Sequence, residues 1–196
     1  MNYTDIKKFF MKNSIRISGG TLKGKKIPFD YKNTLRPTSN KLKEVLFNWI
    51  QFEIQNSICL DLYAGTGSLG IEALSRGSSK SVFVELHKRN YSQLLKSLGL
   101  LKLKDQSKVY FKDAYIWIKS NDLSEYDFIF LDPPFNDNHE LKILNLLIQQ
   151  EKIKSSCKIY LEYSKFTDIE IPKYFKILKE KSIGDVKALL ICKNEN

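Results

Sequence analysis

Asp132-Pro133-Pro134-Phe135 is the stretch of this chain with the most specific chemistry. It follows Asp127 to Leu131, DFIFL, an almost unbroken apolar run that reads as a central strand of a parallel sheet. Two consecutive prolines fix the loop and hold Asp132 in an extended geometry. Folding makes no demand for Asp-Pro-Pro-aromatic at a strand end, but the chemistry of a nucleobase does. An exocyclic amino group is a poor nucleophile, because its lone pair is delocalised into the ring. The Asp132 carboxylate and the Pro133 carbonyl can accept its two N–H bonds, drawing the nitrogen toward a tetrahedral shape and freeing the lone pair for attack. Phe135 can stack on the base, a contact worth ~1–3 kcal/mol. A base held this way must leave its stack or be unpaired already.

A second constellation lies upstream, Ile58 to Gly70, ICLDLYAGTGSLG. A short apolar run ends in Asp61, a small-residue loop follows, and Leu69 to Arg76 reads as a helix closed by Gly77. Gly65, Gly67 and Gly70 fit G-x-G-x-x-G, which alone also suits a nicotinamide dinucleotide held at a helix N-terminus, or a plain turn without ligand. Asp61 sits where a carboxylate suits a cation better than a phosphate. With the amino-group motif, this points to S-adenosylmethionine, whose methionine end carries an ammonium and a sulfonium. Lys80 to Glu85, KSVFVE, is a second strand ending in an acid, where a carboxylate takes ribose hydroxyls in nucleoside-binding αβ folds. A third strand, Lys108 to Lys112, runs into Asp113, which can accept from an adenine amino group or cap a helix. Carboxylates at three adjacent strand ends converge on one crevice.

The remaining elements must position these groups. Asn40 to Phe52 reads as a helix, with Leu42, Val45, Leu46, Trp49 and Ile50 as its core face and Lys41 and Lys43 pointing elsewhere. Helices follow at Lys88 to Leu98 and Glu140 to Gln150, and a strand at Lys158 to Glu162. Tyr174 to Ser182 and Val186 to Lys193 flank Gly184-Asp185, a closing antiparallel hairpin. Strands alternating with helices make this an α/β chain. Ile15 to Phe29 reads as a β-rich arm, its second half crowded by Lys23, Lys25 and Lys26. The division expected is a basic arm over 1–37 and a catalytic domain over 38–196.

Composition narrows the function. The first 50 residues hold nine lysines and two arginines against three acids, a net +8 of the chain's +10. Lysine supplies 28 of the 32 positive charges, a bias that explains residue type but not the crowding at one end. Such an arm suits a phosphate backbone, with a solvated, lysine-protected edge as the plainer alternative. No apolar run approaches the ~20 residues of a membrane span. The start lacks a signal-peptide core, so the expectation is a cytosolic protein, with an organellar address left open by the lysines. Cys59, Cys157 and Cys192 lie in apolar runs, too scattered for a zinc site, and read as buried thiols in a reducing compartment. No metal is expected.

These motifs resemble the class I S-adenosylmethionine-dependent methyltransferases, and more closely the RsmD family, which methylates the N2 amino group of a guanine in 16S ribosomal RNA. The resemblance runs from about Ile15 to the C-terminus. It rests on Ile17-Ser18-Gly19-Gly20 with Lys23-Gly24-Lys25, on Leu35-Arg36-Pro37-Thr38 leading to Leu46-Phe47-Asn48, on DLYAGTGSLGIEALSRG from Asp61, on Val84-Glu85-Leu86, and on DPPF. It implies a Rossmann-like, mostly parallel seven-stranded sheet with the antiparallel hairpin at its end. Asp61, Gly65 and Gly67 would border the methionine part of the cofactor, Glu85 the ribose, and Asp113 with Ala114 the adenine. Tyr63 and Leu86 belong to the same cofactor-binding set. Asp132, Pro133 and Phe135 would hold the target base, and Arg36 and Thr38, with Lys23, Lys25 and Lys26, would place the RNA. The family acts on an assembled or assembling small subunit, so ribosomal proteins are possible partners; a monomer is expected. This chain departs from the pattern at His87, where many relatives have an acid, and at Asn40, Lys41 and Lys43, which replace a more acidic-and-arginine pattern. The rivals are a DNA adenine-N6 methyltransferase, a non-catalytic RNA-binding assembly factor, and a nicotinamide oxidoreductase.

Overall fold

The computed structural model describes residues 14–29, 40–134, 139–149 and 153–194. Two short strands, β1 (Ser14–Arg16) and β2 (Lys26–Pro28), pair antiparallel by themselves. The main sheet contains β3 (Ile58–Asp61), β4 (Lys80–Glu85), β5 (Ser107–Phe111), β6 (Phe128–Leu131), β7 (Lys158–Ser164), β8 (Phe175–Ile183) and β9 (Val186–Lys193). Its order is β5-β4-β3-β6-β7-β9-β8. The first five strands are parallel, and β9 runs antiparallel to both β7 and β8. This is the mostly parallel, seven-stranded sheet with a closing hairpin that the sequence led us to expect. The helices are α1 (Asn40–Trp49), α2 (Ser68–Ser75), α3 (Lys88–Leu100), α4 (Ala114–Lys119) and α5 (His139–Gln149). The expected helix from Asn40 to Phe52 thus ends three residues early, and α4 was not foreseen. No helix among the described residues is long and apolar enough to cross a membrane.

Side chains alternate across the strands and sort the core into layers. From β3, β6 and β7, Leu60, Ile129, Leu131, Ile159 and Leu161 face α4 and α5, packing on Trp117, Ile118, Ile143 and Leu147. Cys59, Phe128, Phe130 and Tyr160 point the other way, against Leu42, Leu46, Phe47 and Ile50 of α1 and Leu69 and Ala73 of α2. Phe47 and Phe130 meet edge to face at 6.2 Å between centroids. Each such buried side chain stabilises the fold by roughly 1.5–3 kcal/mol relative to exposure. All three cysteines are buried and free. Burial pushes the Cys59 and Cys157 thiols up to about 12.

The arm is bolted to α2. Ile15, Ile17, Ile27 and Phe29 are buried against Ile71, Leu74, Leu94 and Leu98. Between them, Glu72 is wholly buried and gathers four donors. The Ser18 N–H reaches Oε2 at 2.9 Å, the Ser18 hydroxyl Oε1 at 2.8 Å, Arg76 Nε Oε1 at 2.9 Å, and Lys43 Nζ Oε2 at 3.2 Å. Burial alone would raise the Glu72 carboxyl, but Ser18, Lys43 and Arg76 together hold it below its ordinary value. Arg76 also lies over the Phe47 ring, 5.0 Å from its centroid. Gly20 must be glycine: its φ is +73°, and a Cβ there would run into the Ser75 carbonyl. Lys43, expected to point away from the core, is 0% exposed and also donates to the Arg16 carbonyl at 2.7 Å. Helical spacing misplaced it because α1 is covered on a second flank by the arm and α2, which spacing within α1 cannot reveal.

Candidate active site

The C-terminal ends of β3, β4, β6 and β7 bring four carboxyl groups to one end of the sheet. Asp61 and Phe130 are in register, as are Leu131 and Leu161, so alternation places Asp61, Asp132 and Glu162 on the side of α1 and α2. Asp61 ends β3 and is 3% exposed. The chain then turns through Gly65 (φ 51°) and Gly67 (φ 77°), where the Gly67 N–H donates to the Ala64 carbonyl at 2.6 Å. Without a Cβ at these positive φ values, the loop turns into α2 within a few residues. The Asp61 carboxylate reaches back across its own loop to accept the Gly70 N–H at 3.1 Å. Burial pushes its carboxyl up to about 7, with the negative charges of Asp132 and Glu85 adding to the rise. Among the described residues, no lysine or arginine relieves it.

Glu85 is 5% exposed and already has work within the protein. It accepts the Gly65 N–H at 2.7 Å and the His87 N–H at 2.6 Å, joining the glycine loop to the end of β4. A carboxylate has about four acceptor positions, so ribose hydroxyls can add to these bonds. Leu86, the next residue, is 54% exposed at the rim. Asp113 is the N-cap of α4, its Oδ1 accepting the Ile116 N–H at 2.9 Å, and Ala114 behind it is buried. Of the two roles open to Asp113, helix capping is therefore occupied. Tyr63 is half-buried; burial raises its phenol, followed by the charges of Asp113 and Glu140.

Asp132 is partly exposed at the mouth of the site and Pro133 is buried. The charge of Asp132 is felt by Asp61, Tyr160 and Glu162, so it stands among all three. Glu162 was read from sequence only as the end of a strand. The signal that singled out Asp61 and Glu85, an acid closing an apolar run, was present there too. Phe135, Arg36 and Thr38 lie outside the described residues. Lys23, Lys25 and Lys26 are all exposed on the arm, between the buried Ile17 and Ile27.

The family model described as "Conserved hypothetical protein 95" matches residues 15–192. The chain belongs to this family. Among curated relatives in the RsmD group, the ribosomal RNA small subunit methyltransferase D of Buchnera aphidicola from Acyrthosiphon pisum is 39% identical over 186 residues, covering 94% of this chain and 97% of that protein. The protein of the same name from Haemophilus influenzae is 39% identical over 181 residues, 91% of this chain and 94% of its own. The solved structure of yhhF from Escherichia coli superposes with a TM-score of 0.83 at 29% identity, covering 94% of this chain and all of that one. The resemblance to RsmD read from the motifs is borne out.

The residues present fit S-adenosylmethionine. A buried carboxyl with a raised pKa and, among the described residues, no cation beside it, Asp61, suits a ligand that brings its own positive charge. The half-buried phenol of Tyr63 and the rim leucine Leu86 flank the acids with apolar surface suited to a nucleoside.

Proposed function

We propose that this protein transfers the methyl group of S-adenosylmethionine to the exocyclic N2 amino group of a guanine in 16S ribosomal RNA, acting in the cytoplasm on an assembled or assembling small subunit. One observation carries the reading. β3 and β6 are adjacent with Asp61 level with Phe130, so the carboxyl suited to a cationic cofactor and the Asp132-Pro133 loop lie side by side. Relatives named for small-subunit ribosomal RNA methylation supply the substrate class.

Bound S-adenosylmethionine supplies an electrophilic methyl group on a sulfonium. Asp61 holds the positive end of that ligand, and Glu85 holds the glycine loop in place around it. Asp132 and the Pro133 carbonyl accept the two N–H bonds of the guanine amino group and orient its lone pair. These bonds strengthen as positive charge develops on the nitrogen, so they favour the transition state over the ground state. Phe135 stacks on the base and excludes water. The arm, residues 1–37, docks RNA through Lys23, Lys25 and Lys26, and Arg36 and Thr38, which precede α1 in the chain, help to place it; the protein works as a monomer.

The test is methyl transfer from labelled cofactor to small ribosomal particles from cells lacking the protein, with nucleoside identification. N2-methylguanosine is the expected product, and N6-methyladenine in a DNA control would overturn the substrate. Asp132→Ala should abolish transfer and leave cofactor affinity near that of the unaltered protein; near-normal turnover in that variant would refute the role of Asp132.

A further inference from the structure

Glu162 lies in the strand beside Asp132 and has no part in the chemistry described so far. It is 2% exposed, and Leu131 pairs with Leu161, so the residue after each strand pair meets its neighbour at the site end of the sheet. Phe130 and Tyr160, one alternation earlier, face the same α1 layer. Tyr160 is wholly buried and donates its hydroxyl to Glu162 Oε1 at 2.6 Å. Among the described residues, the groups facing Glu162 are few. From β6 there is Asp132, from its own strand Tyr160, and across β9 its partner is the uncharged Ala188. Among the described residues no cation acts on it. Burial pushes its carboxyl well above the ordinary value and the charge of Asp132 pushes it further, against the bond from Tyr160. Two neighbouring carboxyls in such a place do not both ionise. Glu162 is the more deeply buried of the two, which favours its protonated form.

A protonated carboxyl has one O–H to direct. Oε1 already receives the Tyr160 hydroxyl, which leaves the proton on the other oxygen and Asp132 as its charged neighbour. A hydrogen bond to an anion is of the strong kind. We propose that Glu162 is a positioning residue for Asp132: its protonated carboxyl, held by Tyr160, donates to one oxygen of the Asp132 carboxylate and leaves the other turned toward the amino group of the substrate. The proposal rests on the acceptor role given to Asp132 above. The prolines fix the Asp132 backbone, and a bond from Glu162 adds a constraint on its side chain. Loss of the Glu162 proton would set two negative charges together and swing Asp132 away, so turnover should fall as pH rises through the raised Glu162 value.

Glu162→Gln and Glu162→Ala separate this role from a merely structural one. Glutamine accepts from Tyr160 and donates to Asp132 but cannot ionise. Its kcat should stay within roughly threefold of the unaltered enzyme, and the alkaline fall belonging to Glu162 should vanish from its pH profile. Alanine should lower kcat roughly 10–100-fold, the scale for losing a hydrogen bond that orients a working ligand, with cofactor affinity unchanged. Infrared difference spectra of unaltered protein against Glu162→Gln at neutral pH should show a protonated-carboxyl band. That band needs no turnover, so it decides the state of Glu162 even if no acceptor is methylated and the proposed function fails. An absent band, a glutamine variant as slow as alanine while still binding cofactor, or an unchanged alkaline limb in glutamine would each overturn the proposal.

Discussion

Lowering the pH from 7.5 to 5 should weaken S-adenosylmethionine binding through one residue, Asp61. The free carboxyl is 3% exposed and sits at about 7 instead of 3.8, chiefly because it is buried. A cationic ligand binds the ionised form, so below that value each bound ligand must displace a proton. With a single site at about 7, Kd should rise about tenfold by pH 6 and about a hundredfold by pH 5, or ~1.4 kcal/mol per pH unit. The useful range ends near 7.5, because the ligand's own α-amino group titrates close to 8. Calorimetric titration in two buffers of different ionisation enthalpy reads both affinity and protons released, which should approach one per cofactor at pH 6. Asp61→Asn should bind weakly at every pH and lose the slope, while still accepting the Gly70 N–H. Its apoprotein should also gain stability at alkaline pH. The folded value of Asp61 exceeds the unfolded one, so its stabilising contribution is complete below about pH 4 and is lost as pH rises through 7. A rise of about three units makes that loss at most about 4 kcal/mol at pH 8, measurable by urea unfolding. A flat affinity in the unaltered protein, or the same slope in Asp61→Asn, would refute the reasoning and move the proton elsewhere.

Two further outcomes follow from the arm and its anchor. Reversing the charge of Lys23, Lys25 and Lys26 together should weaken RNA binding and reduce the slope of log K against log salt by about 2, at ~0.7 per phosphate on single strands; an unchanged slope would make these lysines ordinary surface. Lys43→Ala leaves the wholly buried Glu72 short of a partner and should cost about 3–5 kcal/mol in urea unfolding, nearer the low end because Ser18 and Arg76 remain; unaltered stability with weakened RNA binding would instead restore Lys43 to the surface role that its place on the helix suggested.

The glycine turn and the Asp-Pro-Pro motif were legible because their chemistry is local: a few consecutive residues carry the turn, the carboxylate and the fixed loop. What escaped was set by contacts between distant segments. Lys43 finds Glu72 and the Arg16 carbonyl, 29 and 27 residues away, and nothing within α1 announces either. Helix α4 has six residues, too short for a periodic pattern to register. Glu162 follows an apolar run as Asp61 and Glu85 do, but its place beside Asp132 shows only once β6 is known to pair with β7.

The arm shows how the two kinds of information combine. Its sequence announced exposed lysines, and these are exposed. Its Ile17-Ser18-Gly19-Gly20 segment, one of the motifs shared with RsmD, serves in the structure as an anchor. Ser18 binds Glu72, Thr21 N–H binds the Ser75 carbonyl at 2.7 Å, and the Ser75 hydroxyl binds the Gly19 carbonyl at 2.5 Å. All of these partners lie on α2, the helix that begins at the glycine loop. The lysine-bearing arm is thereby fixed to the helix that begins at the glycine loop. RNA held by the three lysines would present its bases to Asp132 at a set distance, so selection of the target guanine would come from the geometry of the folded RNA rather than from contacts that read its sequence.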